Sequence, residues 1–121
     1  MWNEILKTKG INYMQAVLEN ENKEIKMSKS VSELISKLDN ADVKTKNDIE
    51  NVLVRIGEHA VPELVNQLQI VKGSIRGVVA MTLIRIGEPS VDFLKKAASA
   101  NKDFEWVASY LIEEIKGSKA A

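Results

Sequence analysis

His59 is the chain's only histidine, and it follows Glu58 just beyond Gly57. An imidazole near neutral pH suits general base catalysis or metal ligation. Either role needs convergent partners, and the neighbouring residues supply none, so His59 reads as a solvated loop residue. Glu113 and Glu114 form an adjacent carboxylate pair, the residue type that general acid–base chemistry uses. Consecutive helical residues point about 100° apart, so these two carboxylates diverge and belong to a polar face. Gly73-Ser74-Ile75-Arg76-Gly77 is framed by glycines but lacks the lysine and the spacing of a phosphate-binding loop. The serines have no base near them in any recognisable motif. There is no cysteine, which excludes disulfides and thiolate zinc sites. The chain is therefore expected to be non-enzymatic, with no catalytic residue, cofactor or metal.

The residues with more to offer are large apolar ones at positions that should face outward, and a repeat reveals them. Val52-Leu53-Val54-Arg55-Ile56-Gly57-Glu58 returns thirty residues later as Thr82-Leu83-Ile84-Arg85-Ile86-Gly87-Glu88. Val61-Pro62-Glu63-Leu64 returns as Val91-Asp92-Phe93-Leu94. A period of this length signals stacked supersecondary units, which make surfaces more often than pockets. Within each unit the first helix carries a stripe: Val31, Leu34, Ile35 and Leu38, matched by Val61, Leu64, Val65 and Leu68. The second helix carries Ile49, Val52, Leu53 and Ile56, matched by Val79, Thr82, Leu83 and Ile86. The i, i+3, i+4, i+7 spacing puts each set on one helical face.

A third unit follows, one residue shorter in its inter-helix turn, with Val91, Leu94 and Ala98 and then Phe104, Val107, Ala108, Leu111, Ile112 and Ile115. Gly57 and Gly87 are placed as left-handed helix C-caps, Pro62 in a first turn, and Ser74 and Asp103 as N-caps. The predicted units span about 31–57, 61–87 and 91–117. Lys95 replaces Ile35 and Val65, and Glu113 replaces Val54 and Ile84. Burying either charge unpaired would cost several kcal/mol, so these positions predict a polar C-terminal cap that ends the stack. Residues 1–30 do not repeat. Trp2, Ile5 and Leu6, then Ile11, Met14, Val17 and Leu18, are read as an N-terminal helical cap, with a docking arm as the rival reading. Residues 118–121 read as a frayed tail.

In this register the units resemble HEAT repeats, above all the short bacterial and archaeal form also found in phycobilisome lyases. The carrying residues are Val61-Pro62-Glu63-Leu64, Leu68, Ile75-Arg76, Leu83 and Ile86-Gly87 in the middle unit. Unit one matches with Val31, Leu34, Leu38, Lys46 in the Arg position, Leu53 and Ile56-Gly57. Unit three is weakest: Glu105 stands in the Arg position and Lys116 precedes its Gly. The resemblance implies an all-α fold, a small right-handed α-solenoid of three helical hairpins whose second helices line a concave, protein-binding face. It also implies that Arg76, and Lys46 likewise, pair with acidic residues to knit neighbouring units, with ligand contact as the rival reading of Arg76. Arg55 and Arg85, just before Ile56 and Ile86, read as exposed parts of a charged edge. HEAT-repeat di-iron hydroxylases carry recurring His-Glu pairs, which this chain lacks.

The outward positions of the second helices are then Asn47, Gly77 and Trp106 in one row and Asn51, Met81 and Tyr110 in the next. They become more aromatic toward the C-terminus, a composition suited to a protein-binding hot spot. The competing reading has Trp106 folded over the end of the core. The 17 basic residues balance the 17 acidic ones, which argues against the counterion-releasing surface of a nucleic-acid binder. The longest apolar runs fall well short of the roughly 20 residues of a membrane span, and Met1-Trp2-Asn3-Glu4 does not open a signal peptide. The expectation is a cytoplasmic adaptor whose partner is another protein or a second copy of itself. The alternatives are a lyase-like accessory protein of the phycobilisome-linked branch and a nucleic-acid-binding HEAT-like protein.

Overall fold

The computed structural model describes residue 23 and residues 25–120, with side chains through Gly117. Of residues 1–30, read as a cap or arm, residues 1–22 and residue 24 lie outside the described residues. Among those described there are six α-helices and no strand. In chain order they are α1 (25–36), α2 (Val43–Ile56), α3 (Val61–Leu68), α4 (Gly73–Ile86), α5 (Pro89–Ala100) and α6 (Glu105–Ala120). Helix α1 runs across residue 31, where the first unit was expected to begin, and α6 continues through Ala120 into the stretch read as a frayed tail.

The stripes become the core as their spacing requires. Val31, Ile35 and Leu38 pack with Leu53, Val61, Leu64, Val65 and Leu68, then with Val79, Leu83, Val91 and Leu94, and finally with Phe104, Ala108, Leu111 and Ile115, in one continuous cluster. Burying each of the larger side chains contributes about 1.5–3 kcal/mol. Helix α4 lies between α2 and α6, α3 packs on α5, and α4 and α6 pack on α3 and α5 respectively. Side-chain bonds fix the relative direction of α2 and α4. Lys46 Nζ donates to Ser74 Oγ at 3.3 Å near the two N-termini, and Arg85 near the C-terminus of α4 reaches Glu50 and Asn51. The two helices therefore run the same way. Asn101 Nδ2, four residues ahead of α6, donates to Oε1 of Gln69, four residues ahead of α4, at 3.3 Å. The turns ahead of α4 and α6 are thus tied to each other.

One member of the expected core departs from it. Val52 is 41% exposed, whereas Thr82 at the equivalent place is fully buried. That position faces the preceding second helix: Thr82 has α2 beside it, but α2 is the first in its row among the described residues. The Thr82 hydroxyl donates to Val78 O at 2.7 Å, so its burial leaves no polar atom unpaired. Lys95 and Glu113 are both exposed, while Ile35 and Val65 are buried and Val54 and Ile84 are half-buried.

The helix ends correct several local expectations. Gly57 and Gly87 do end α2 and α4 with positive φ, 72° and 84°, but their ψ values of −137° and −135° lie outside the left-handed helical region. This is backbone that essentially only glycine adopts. Each glycine N–H still bonds to the carbonyl four residues back, on Leu53 and Leu83. Ser74 is not an N-cap: α4 already begins at Gly73, Lys72 holds the cap position without a side-chain bond, and the Ser74 hydroxyl takes the Lys46 bond instead. Asp103 is not one either. The chain enters a 3₁₀ turn at Lys102–Phe104, and the Asn101 side chain caps it by accepting from Asp103 N at 3.1 Å. An unforeseen cap is Asp42, whose carboxylate accepts from Thr45 N at 2.8 Å at the start of α2. The Thr45 hydroxyl and then its backbone N–H hold the Asp42 carboxyl below its ordinary pKa, because both bonds favour the charged form.

Candidate docking ridge

All six residues singled out on the second helices, Asn47, Asn51, Gly77, Met81, Trp106 and Tyr110, lie at the surface. Their four-residue spacing stacks each pair one turn apart on the outer side of its helix. Opposite faces are fully occupied: Ile49 and Leu53 on α2, Val79 and Leu83 on α4, and Ala108 and Leu111 on α6 are all buried. The helices have no freedom to turn these pairs inward.

The three large side chains of the row are all well exposed. Trp106 is 74% exposed, Tyr110 55% and Met81 48%. Trp106 therefore does not fold over the end of the core. Phe104, two residues earlier in the 3₁₀ turn ahead of α6, is the aromatic that packs into the core, at 3%. Gly77 leaves a gap in the row: a Cβ there would meet nothing within 4 Å. Its φ is not among the positive ones, so the backbone does not demand glycine. A mid-helix glycine costs about 1 kcal/mol against alanine, and no contact among the described residues recovers it.

The polar frame of the ridge differs from expectation. Arg85 Nη1 meets Glu50 Oε2 at 2.6 Å and Asn51 Oδ1 at 2.9 Å, clamping α4 to α2. Asn51 is thereby committed to positioning Arg85, although its carboxamide remains at the surface. The expected knitting residue, Arg76, makes no side-chain hydrogen bond or ion pair among the described residues, and Lys46 reaches a serine rather than a carboxylate. The inter-helix clamp thus falls nine residues later on α4 than the resemblance implied. Its signal was present as Glu50 and Arg85, thirty-five residues apart, one repeat plus a little over one turn.

On the other layer, α1 is tied to α3 where Ser28 Oγ donates to Glu63 Oε2 at 2.8 Å, while Gln67 Nε2 donates to Glu63 Oε1 at 3.0 Å. Lys96 Nζ lies 5.6 Å from the centre of the Phe93 ring on α5, a cation–π contact that gives this outer aromatic a partner within the chain. Trp106 and Tyr110 have no equivalent contact among the described residues.

His59 is exposed in the 3₁₀ turn Gly57–Ala60, and Glu113 and Glu114 are exposed on α6. Among the described residues no group of three or more His, Cys, Asp or Glu side chains could hold a metal ion, and no helix is long and apolar enough to cross a membrane. No family model, curated protein or solved structure matches the chain.

Proposed function

We propose that this protein is a small right-handed α-solenoid of three HEAT-like helical hairpins, with its N-terminal residues as a cap, and that it works as a non-enzymatic protein-interaction adaptor. Its working surface is the ridge of Asn47, Asn51, Gly77, Met81, Trp106 and Tyr110, offered to a helix or an extended segment of another protein. The packing of α2, α4 and α6 side by side supports the solenoid reading, and the thirty-residue sequence repeat supports it independently.

The observation that carries the function is the exposure of Trp106 at 74%, one turn from a half-exposed Tyr110, with Met81 also exposed on the neighbouring α4. Large aromatics cost free energy in water, and Trp and Tyr dominate binding energy where they become buried at an interface. Rigid helices hold these three side chains with little backbone entropy left to lose on binding.

The test is affinity capture from lysate, comparing the wild-type chain with a Trp106→Ala/Tyr110→Ala variant, both verified by circular dichroism. A partner held by the wild type and lost by the equally helical variant is the expected outcome. Partners that survive the substitution would remove the ridge from the account.

A further inference from the structure

Three features of the ridge have no explanation among the described residues of one chain. Gly77 lies within regular helix with open space where a side chain would be. Trp106, at the corresponding place on α6, projects into solvent. The charges are also segregated: α4 contains no acidic residue and exposes Arg76 and Arg85, whereas α6 exposes Glu105, Glu113 and Glu114 against Lys116.

Resting on the reading of the ridge as a docking surface, we infer that its occupant is a second copy of this chain. The two copies meet about a two-fold axis running along the groove between α4 and α6. Such an axis exchanges the two helices while preserving height along them, so α6 of each copy lies over α4 of the other. The repeat supplies the register, with equivalent residues of α4 and α6 twenty-nine apart. Trp106 of one copy comes level with Gly77 of the other, an indole over a bare stretch of helix. Tyr110 comes level with Met81, a favourable aromatic–sulfur pairing. Glu105 comes level with Arg76, the α4 cation that has no ion-pair partner among the described residues. Glu114 comes level with Arg85, which Glu50 already engages.

Every one of these pairings occurs twice, as an isologous interface requires. A two-fold axis perpendicular to the helices would instead set α4 against α4 and Arg76 near its own copy, so the charge pattern selects the first arrangement. Glycine at position 77 is then explained as clearance for the partner's Trp106.

The expected strength follows from size. Helices of 14 and 16 residues are about 21–24 Å long at 1.5 Å per residue. Two of them spaced about 10 Å apart offer less than the roughly 800 Å² per partner of a standard interface. The dimer should therefore be weak and reversible.

Sedimentation velocity on the full chain, from roughly 1 to 300 μM, tests this. The expected result is a concentration-dependent monomer–dimer equilibrium. Trp106→Ala and Gly77→Leu should each weaken it at least about tenfold, with circular dichroism unchanged. Gly77→Leu is the discriminating variant, because the monomer has room for the side chain and leucine favours helix. Arg76→Glu should weaken the dimer, and Arg76→Glu/Glu105→Arg should restore it. A chain that stays monomeric throughout, or a dimer indifferent to Gly77→Leu, overturns the inference. If the chain stays monomeric yet the Trp106→Ala/Tyr110→Ala variant loses a captured partner, the ridge serves a different protein and only the second-copy assignment fails. If neither is seen, the docking reading falls with it.

Discussion

On one side of α4, helix α2 presents Asn47 and Asn51; on the other, α6 presents Trp106 and Tyr110 at the same two outward places. Beneath them the two helices are nearly interchangeable, with Ile49 and Leu53 in one and Ala108 and Leu111 in the other, all buried. Packing dictates the inner positions and is indifferent to the outer ones. The contrast therefore separates what holds the fold from what the surface is for. The inner positions are predicted to answer to stability measurements and the outer ones to binding measurements.

The largest effect should come from the inner side of the central helix. Leu83 is completely buried between its neighbours, and Leu83→Ala is expected to destabilise the chain by about 2–5 kcal/mol through lost transfer energy and the remaining cavity. Val52 belongs to the same stripe in the sequence but lies at the edge of the row, 41% exposed. Val52→Ala should cost under about 1 kcal/mol, in proportion to the smaller apolar area it hides. Urea unfolding of both variants measures the difference. Equal costs would mean that α2 is covered as completely as α4.

That pair also marks where the sequence was legible. The i, i+3, i+4, i+7 stripes identified nearly the whole core, because burying a helix face imposes its period on composition. Val52 could not be separated from Thr82 by pattern, since their difference lies in which helices flank them. The six ridge residues were legible by subtraction, as what remains when the buried face is removed. The caps were less so. Ser74 and Asp103 have capping chemistry, but α4 starts one residue before Ser74, at Gly73, and a 3₁₀ turn displaces the cap at α6 to Asn101. Asp42-Val43-Lys44-Thr45 was the readable signal, an Asp three residues ahead of the Thr45 amide that it caps. The Arg85 clamp stayed hidden because a repeat alignment pairs equivalent positions, whereas side chains on packed helices also meet at an offset.

The helix starts offer a second, smaller contrast. Helix α2 follows Asp42, in extended backbone with its carboxylate on Thr45 N, whereas α4 follows Lys72, also extended but with no side-chain cap. Lysine there adds positive charge to the positive end of the helix dipole. Lys72→Asp is expected to stabilise the chain by about 0.5–2 kcal/mol at neutral pH. The gain should vanish in acid. For Asp42 the folded carboxyl titrates below its ordinary value, so its contribution is complete above that value and is lost as pH falls through the lowered one. The carboxylate introduced by Lys72→Asp should follow the same course, and unfolding curves at about pH 7 and pH 3 would reveal it. A gain that persists in acid would assign the effect to removal of the lysine charge alone.

The smallest stability effect should fall on the most conspicuous residue. Trp106 is the largest side chain on the ridge, yet its 74% exposure means that little of it is removed from water by folding. In dilute monomer, Trp106→Ala is expected to shift unfolding free energy by no more than about 0.5 kcal/mol, far below Leu83→Ala despite the greater loss of atoms. Alanine's higher helix propensity even offsets part of any lost contact. At high concentration, where the proposed dimer would cover the ridge, the same substitution should lower the apparent unfolding temperature, because binding that favours the native state stabilises it by mass action. Thermal unfolding of wild type and variant at two concentrations separates the cases. A difference that grows with concentration places the contribution of Trp106 between molecules, and a large difference already present in dilute solution would return Trp106 to the core of its own chain.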